Sequence, residues 1–220
     1  MVITPVAYYH GDFPEKFGIP RQSGVAEELS GYLEFEPPFR DREALRGLEG
    51  FSDIWLIWEF SAAGERTFRP TVRPPRLGGN VRMGIWATRS PFRPNPLGLS
   101  AVKVERIDLE NMRIHVRGAD LMDGTPVYDI KPYIPYADSR PEAAGGFAKD
   151  APEAVLNVVF RAGVPFSPEK TEALRKVLSL DPRPPYQDIP GREYGLLFAG
   201  YDVRFTVNGA DLVVTRIEKV

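Results

Sequence analysis

The sequence has no cysteine and only two histidines, His10 and His115. Disulfides, thiolate metal sites and a cysteine nucleophile are excluded, and two imidazoles alone do not make a dedicated transition-metal site. No metal is therefore expected. Also missing is any apolar run of about 18 residues, the length that crosses a bilayer as a helix. The opening stretch MVITPVAYYHGDFPEKF lacks the basic-then-apolar pattern of a secretory leader. A cytoplasmic location without membrane attachment is the expectation. No GxGxxG follows a strand, no Walker A sequence occurs, and neither histidine adjoins a nucleophile motif, so a Rossmann-type nucleotide site is not expected.

Acidic residues are missing from one long stretch. Net charge is only −2, yet Arg66, Arg69, Arg73, Arg76, Arg82, Arg89, Arg93 and Lys103 follow one another with no Asp or Glu between them. Guanidinium groups pair bidentately with phosphate and carboxylate, so the block suits recognition of either. The competing reading is a solvated, proline-rich loop whose arginines pair with acids elsewhere, and composition alone favours it.

The first two thirds of the chain read as short strands, over residues 2–9, 30–36, 54–60, 81–88, 97–106, 112–119 and 127–133. Several alternate with period two: Ala101, Lys103 and Glu105 against Val102, Val104 and Arg106, and Ile114 and Val116 against His115 and Arg117. Many short strands with little helix predict a mainly β fold, a sandwich or a barrel. The exception is 41–48, one or two helical turns with Asp41 as N-cap. Residues 138–152, rich in Ala, Gly and charge, mark a boundary, giving a β domain over 1–148 and a small α+β domain over 153–220. In the latter, Ser167 caps a helix with Pro168 in its first turn, Ala173, Leu174, Val177 and Leu178 form its apolar face, and Asp181-Pro182 stops it. A hairpin through Asn208-Gly209 closes the chain.

Three segments carry candidate chemistry. Residues 71–100 place five arginines on a backbone fixed by proline and glycine. Arg89, Ser90, Arg93 and Asn95 could converge there on a small anionic or zwitterionic ligand, or simply build a rigid corner. In 123–138, Asp129, Lys131 and Tyr133 share one face of a strand. An acid, a base and a phenol together on a core-facing strand are costly without a partner, while Pro132 and Pro135 equally suit an outward edge. Residues 16–24, KFGIPRQSG, have no strand or helix period. Trp55, Trp58 and Phe60 read as core more than as a base-stacking platform.

Together these segments resemble the family known as TsaA or TrmO, in which VRPPRLGGNVRMGIWATRSPFRPNPLGLS followed by DGTPVYDIKPY is the hallmark. DPRPPY, residues 181–186, and the closing hairpin resemble the small C-terminal domain of bacterial members. The chain departs from the family at its first turn, Tyr8-Tyr9-His10-Gly11, where relatives run into Ser-Pro. The resemblance implies a homodimeric antiparallel β-barrel that binds S-adenosylmethionine and methylates the exocyclic nitrogen of threonylcarbamoyladenosine in tRNA. Carried over by position, it implies cofactor contacts from Arg21, Gln22, Ser23, Phe60, Ser61, Arg89, Ser90, Leu99, Ser100, Asp123, Gly124, Thr125 and Pro126.

Methyl transfer to a carbamoylated nitrogen needs in-line positioning and removal of one proton. A carboxylate such as Asp129 suits as proton acceptor, with Lys131 or Tyr133 stabilising charge on the carbonyl oxygen; the alternative is that positioning alone does most of the work and no side chain acts as base. The competing classes are a protein that binds the cofactor without transferring methyl, and a barrel that binds RNA only.

Overall fold

In the computed structural model, residues 2–62, 67–183, 189 and 191–220 are described. Arg66 and residues 184–186 of the DPRPPY segment lie outside them. Among the described residues twelve strands and two α-helices are present. In chain order they are β1 (Ala7–His10), β2 (Ser30–Phe35), β3 (Asp53–Glu59), β4 (Thr71–Val72), β5 (Met83–Gly84), β6 (Leu97–Asp108), β7 (Arg113–Arg117), β8 (Thr125–Pro132), α1 (Pro135–Asp138), β9 (Asn157–Phe160), α2 (Pro168–Ser179), β10 (Glu193–Phe198), β11 (Tyr201–Asn208) and β12 (Asp211–Lys219).

Six of these strands close a barrel in the order β1-β2-β7-β6-β3-β8, with every pairing antiparallel. Closure removes the sheet edges that would otherwise offer unpaired N–H and C=O groups. Inward residues come from the two-residue periodicity: Ile54, Leu56 and Trp58 of β3, Val102 of β6, Ile114 and Val116 of β7 and Leu33 of β2 fill the interior. A bulge at Tyr128 shifts the β3–β8 register, so that Trp58 pairs Val127 but Ile57 pairs Asp129.

Two expected elements differ. Residues 81–88 form only the two-residue β5, paired with β4 as a small ribbon, and then a 3₁₀ turn over Ile85–Ala87 in which Thr88 N–H donates to Ile85 O. Gly84 starts the turn, and a single turn satisfies backbone groups that a strand there would have to pair elsewhere. The helix at 41–48 is likewise a 3₁₀ turn, Arg42–Leu45, although Asp41 does cap it, accepting from Glu43 N–H at 2.9 Å.

Beyond the barrel, β10-β11-β12-β9 form a second sheet, in which β9 runs parallel to β12. The helix α2 covers it with the expected face of Ala173, Leu174, Val177 and Leu178, and Ser167 Oγ accepts from Lys170 N–H at 3.3 Å. This second core also takes in Phe13, Ala26 and Leu29 from the long β1–β2 loop. Lys170 Nζ pairs with Asp12 at 2.5 Å, and Ala199 N–H donates to Asp12 O. Gly18, at φ +91°, lies so close to Leu196 that a Cβ there would stand 2.3 Å from its Cδ1. Only glycine suits both the backbone and the contact.

Candidate functional site

One end of the barrel gathers the C-terminal ends of β1, β3 and β7 and the N-terminal ends of β2, β6 and β8. The loops attached there enclose an open cleft of about 2640 Å³. That is several times the roughly 300–1,000 Å³ of a small-ligand pocket, so part of a macromolecule fits beside a nucleotide-sized ligand.

The cleft brings together Arg21, Gln22, Phe60, Ser61, Arg89, Ser90, Leu99 and Thr125 of the expected cofactor contacts. Arg89 Nη1 donates to Gln22 Oε1 at 2.5 Å, which ties the PRQSG loop to the turn after Thr88. That turn is held internally: Ser90 N–H donates to Thr88 Oγ1, and Arg93 donates to Thr88 O. Phe60 packs on Trp58 with ring centroids 4.3 Å apart, and its N–H donates to Pro96 O. Thr125 is buried and donates to Met122 O at 2.7 Å.

Sequence reasoning missed the residue that organises the cleft floor. Asp120 lines the cleft, and its Oδ1 accepts from Ser100 Oγ at 2.6 Å. Ser100 in turn accepts from Trp58 Nε1 at 2.9 Å. Gly98 makes room for this relay, because any Cβ there would strike the Trp58 ring at 2.3 Å. Burial raises the Asp120 pKa above the ordinary carboxylate value. The Ser100 hydrogen bond opposes the shift, as do, more weakly, Arg89 and the Ser23 N–H. Ser23 and Ser100 thus serve the cleft through Asp120.

The remaining expected contacts point elsewhere. Asp123 Oδ1 accepts from Gly11 N–H and lies 3.2 Å from His10 Nδ1, so it fastens the divergent first turn. Gly124, at φ +73°, donates its N–H to Tyr9 O, and Pro126 is buried in β8 opposite Tyr8. Asp129, Lys131 and Tyr133 do share one face, and it is the outer face of the barrel. Lys131 Nζ stands 2.9 Å from Asp129 Oδ2, and Tyr133 packs on Trp55 at 5.5 Å between ring centroids. The trio does not line the cleft. Leu99, Ile57 and Asp129 nevertheless form one register row across β6, β3 and β8. The cleft rim at Leu99 therefore leads onto the trio across two strand spacings, about 10 Å.

The rim is cationic and aromatic. Arg69, Arg73, Arg76, Arg82, Arg89 and Arg93 all line the cleft, and Arg69 lies 4.3 Å over the Phe92 ring. Among the described residues no group of three His, Cys, Asp or Glu side chains could hold a metal ion. No helix of the described residues is long and apolar enough to cross a membrane.

A closed β-barrel with the Asp120 carboxylate in a cleft lined by arginines defines a class apart from the Rossmann nucleotide binders. The profile of the tRNA-methyltransferase O N-terminal domain matches residues 8–139, and that of the TrmO C-terminal domain matches residues 165–220. The chain belongs to the tRNA-methyltransferase O family. It is 41% identical over 218 residues to the tRNA (adenine(37)-N6)-methyltransferase of Escherichia coli (strain K12), covering 94% of this chain and 93% of that protein. It is 42% identical over 221 residues to a putative S-adenosylmethionine-dependent methyltransferase, RcsF, of Pseudomonas aeruginosa, covering 96% and 94%. A crystal structure of TrmO from P. aeruginosa superposes with a TM-score of 0.80 at 34% identity, covering 99% of this chain and 97% of that one.

Proposed function

We infer that this chain is an S-adenosylmethionine-dependent tRNA methyltransferase acting on N6 of the adenosine at position 37, beside the anticodon, with threonylcarbamoyladenosine as the nucleoside methylated. Family membership supports the reaction class. The observation that carries the cofactor's placement is Asp120, a half-buried carboxylate held by Ser100 at the floor of a cleft whose lining includes the six arginines from Arg69 to Arg93. An anion drawn partly out of water is stabilised by a cation set against it. S-adenosylmethionine offers a sulfonium and an ammonium for Asp120 and a carboxylate for Arg89, and Phe60, which lines the cleft, offers apolar surface to its adenine.

When bound, the cofactor supplies an electrophilic methyl group. The protein's task is to hold the acceptor nitrogen in line and to receive one proton. A carbamoylated nitrogen is a poor nucleophile but a better acid than an amine, so a nearby carboxylate helps. Asp129 is the proposed acceptor, with Lys131 and Tyr133 facing the charge that develops on the carbonyl oxygen. The register row from Leu99 to Asp129 supports this, since a nucleoside beside the rim lies over that outer face. A homodimer and a cytoplasmic location belong to the same proposal, as does assignment of methyl transfer to residues 1–148.

The test is methylation of tRNA from a strain lacking the corresponding enzyme, read by mass spectrometry of nucleosides. One methyl gained on threonylcarbamoyladenosine is expected. Gain on plain adenosine would overturn the nucleoside assignment, and cofactor binding without transfer would favour a regulatory protein.

A further inference from the structure

We propose that Trp86, with Phe68 beside it, is a stacking platform for a nucleobase of the anticodon loop. The proposal rests on tRNA being the substrate. Trp86 is 71% exposed and Phe68 46% exposed, with ring centroids 6.2 Å apart and planes inclined by 29°. Large aromatic rings are normally buried, and a bare indole forgoes that gain unless something covers it in use.

The backbone beneath the ring is firmly anchored. Ile85, its neighbour, is buried, and Ile85 N–H donates to Pro70 O at 3.0 Å. Thr88 closes the turn twice onto Ile85 O, through its N–H at 3.1 Å and its hydroxyl at 2.9 Å. Arg93, which donates to Thr88 O, also sets its guanidinium 5.3 Å from the Trp86 ring. The 3₁₀ turn therefore presents the indole from a fixed position, and a ligand that stacks on it has little backbone order to create.

Charge selects the occupant. Residues 67–104 contain no acid, and Arg69, Arg73, Arg82, Arg89 and Arg93 line the same cleft as Trp86. Guanidinium groups take phosphates while an aromatic face takes a base, the combination that binds single-stranded nucleic acid. Unpaired loop nucleotides can be splayed onto such a face, whereas a stem cannot. A protein surface or a second copy would have to bring acids to so many arginines.

The experiment measures binding of a labelled anticodon stem-loop RNA to the full chain and to its Trp86→Ala and Trp86→Phe variants, over a salt series. Trp86→Ala is expected to weaken binding about tenfold, with Trp86→Phe within about threefold of wild type. The salt slope should stay unchanged, because no phosphate contact is lost. Calorimetry should find S-adenosylmethionine affinity unaltered, and thermal unfolding verifies that both variants are folded. Wild-type RNA affinity in Trp86→Ala overturns the platform alone. A loss of affinity accompanied by a halved sedimentation mass overturns it too, by assigning the ring to a contact between copies. Absence of RNA binding by the wild-type chain would remove the tRNA reading first, and the platform with it.

Discussion

The Ser100 hydroxyl is committed to Asp120: it accepts from the Trp58 indole at 2.9 Å, which leaves its one proton for Asp120 Oδ1 at 2.6 Å. An indole N–H can only donate, so the direction of the relay is fixed. The barrel core, through Trp58, thereby orients an acid at the floor of the cleft.

Replacing that acid should have effects of opposite sign on stability and binding. Burial raises the Asp120 pKa in the folded protein, so the folded state holds this proton more tightly than the unfolded chain does. Its stabilising effect is full below the ordinary carboxylate range and is lost as pH rises through the raised value. Asp120→Asn should therefore raise Tm at neutral pH by a few degrees, at roughly 2–4 °C per kcal/mol for a chain of this size. It should also flatten the dependence of Tm on pH. Cofactor affinity should fall, since a charge-assisted hydrogen bond is worth about 1.5–3 kcal/mol. Calorimetric titration with S-adenosylmethionine beside a pH series of melting curves measures both, and an unchanged Kd would remove Asp120 from the cofactor site.

Arg89→Ala loses the tie to Gln22 as well as a group for the cofactor carboxylate. Affinity for S-adenosylmethionine should drop at least tenfold, in line with the loss of a charged hydrogen-bond partner. Gln22→Ala should cost less, because it frees the guanidinium without removing it. Equal affinity in a folded Arg89→Ala protein would leave that arginine a structural role only.

Asp129→Asn keeps shape and hydrogen-bonding capacity but removes basicity. The Asp129–Lys131 pair is half exposed, so breaking it should move Tm by no more than about 4 °C. Single-turnover methylation should fall roughly 100-fold, the low end of general-base contributions, with S-adenosylmethionine affinity retained. A wild-type rate would exclude Asp129 as proton acceptor.

Neutralising Arg69 and Arg73 together should weaken tRNA binding at every sequence tested. It should also reduce the slope of log affinity against log salt by roughly 1.5–2, the share of two phosphates. Binding data across a salt series check this, and an unchanged slope would show that these arginines contact no phosphate. Arg69 also lies over Phe92, so Arg69→Lys is the control that keeps charge while changing the stacked geometry.

The barrel was legible where alternation is strict. In β7, Ile114 and Val116 alternate with His115 and Arg117, and the pattern of buried and half-buried positions follows it. The shared face of Asp129, Lys131 and Tyr133 was legible too, because the bulge at Tyr128 falls before them and leaves their spacing of two intact. The direction of that face was not, since it depends on where the bulge resets β8. Asp120 gave no local indication: a carboxylate between Ala119 and Leu121 has the look of a strand end. Its partners come from far along the chain, the Ser100 hydroxyl and the Ser23 backbone among them. Ile85 and Trp86 resembled strand residues because the hydrogen bonds that curl them into a turn come from Pro70 and Thr88. Strand β9 escaped notice because it is four residues long and pairs with a strand far along the chain.

The β1–β2 loop has two owners. Its tip at Arg21 and Gln22 belongs to the cleft, while Phe13, Ala26 and Leu29 are packed into the core under α2 and Lys170 clasps Asp12. Loosening of the C-terminal sheet is thus expected to loosen this cleft loop, with no ligand needed to carry the message. On the proposed cofactor placement, S-adenosylmethionine affinity should then gauge how firmly a sheet outside the barrel is closed, and substitutions under α2 should tune it without altering the barrel itself.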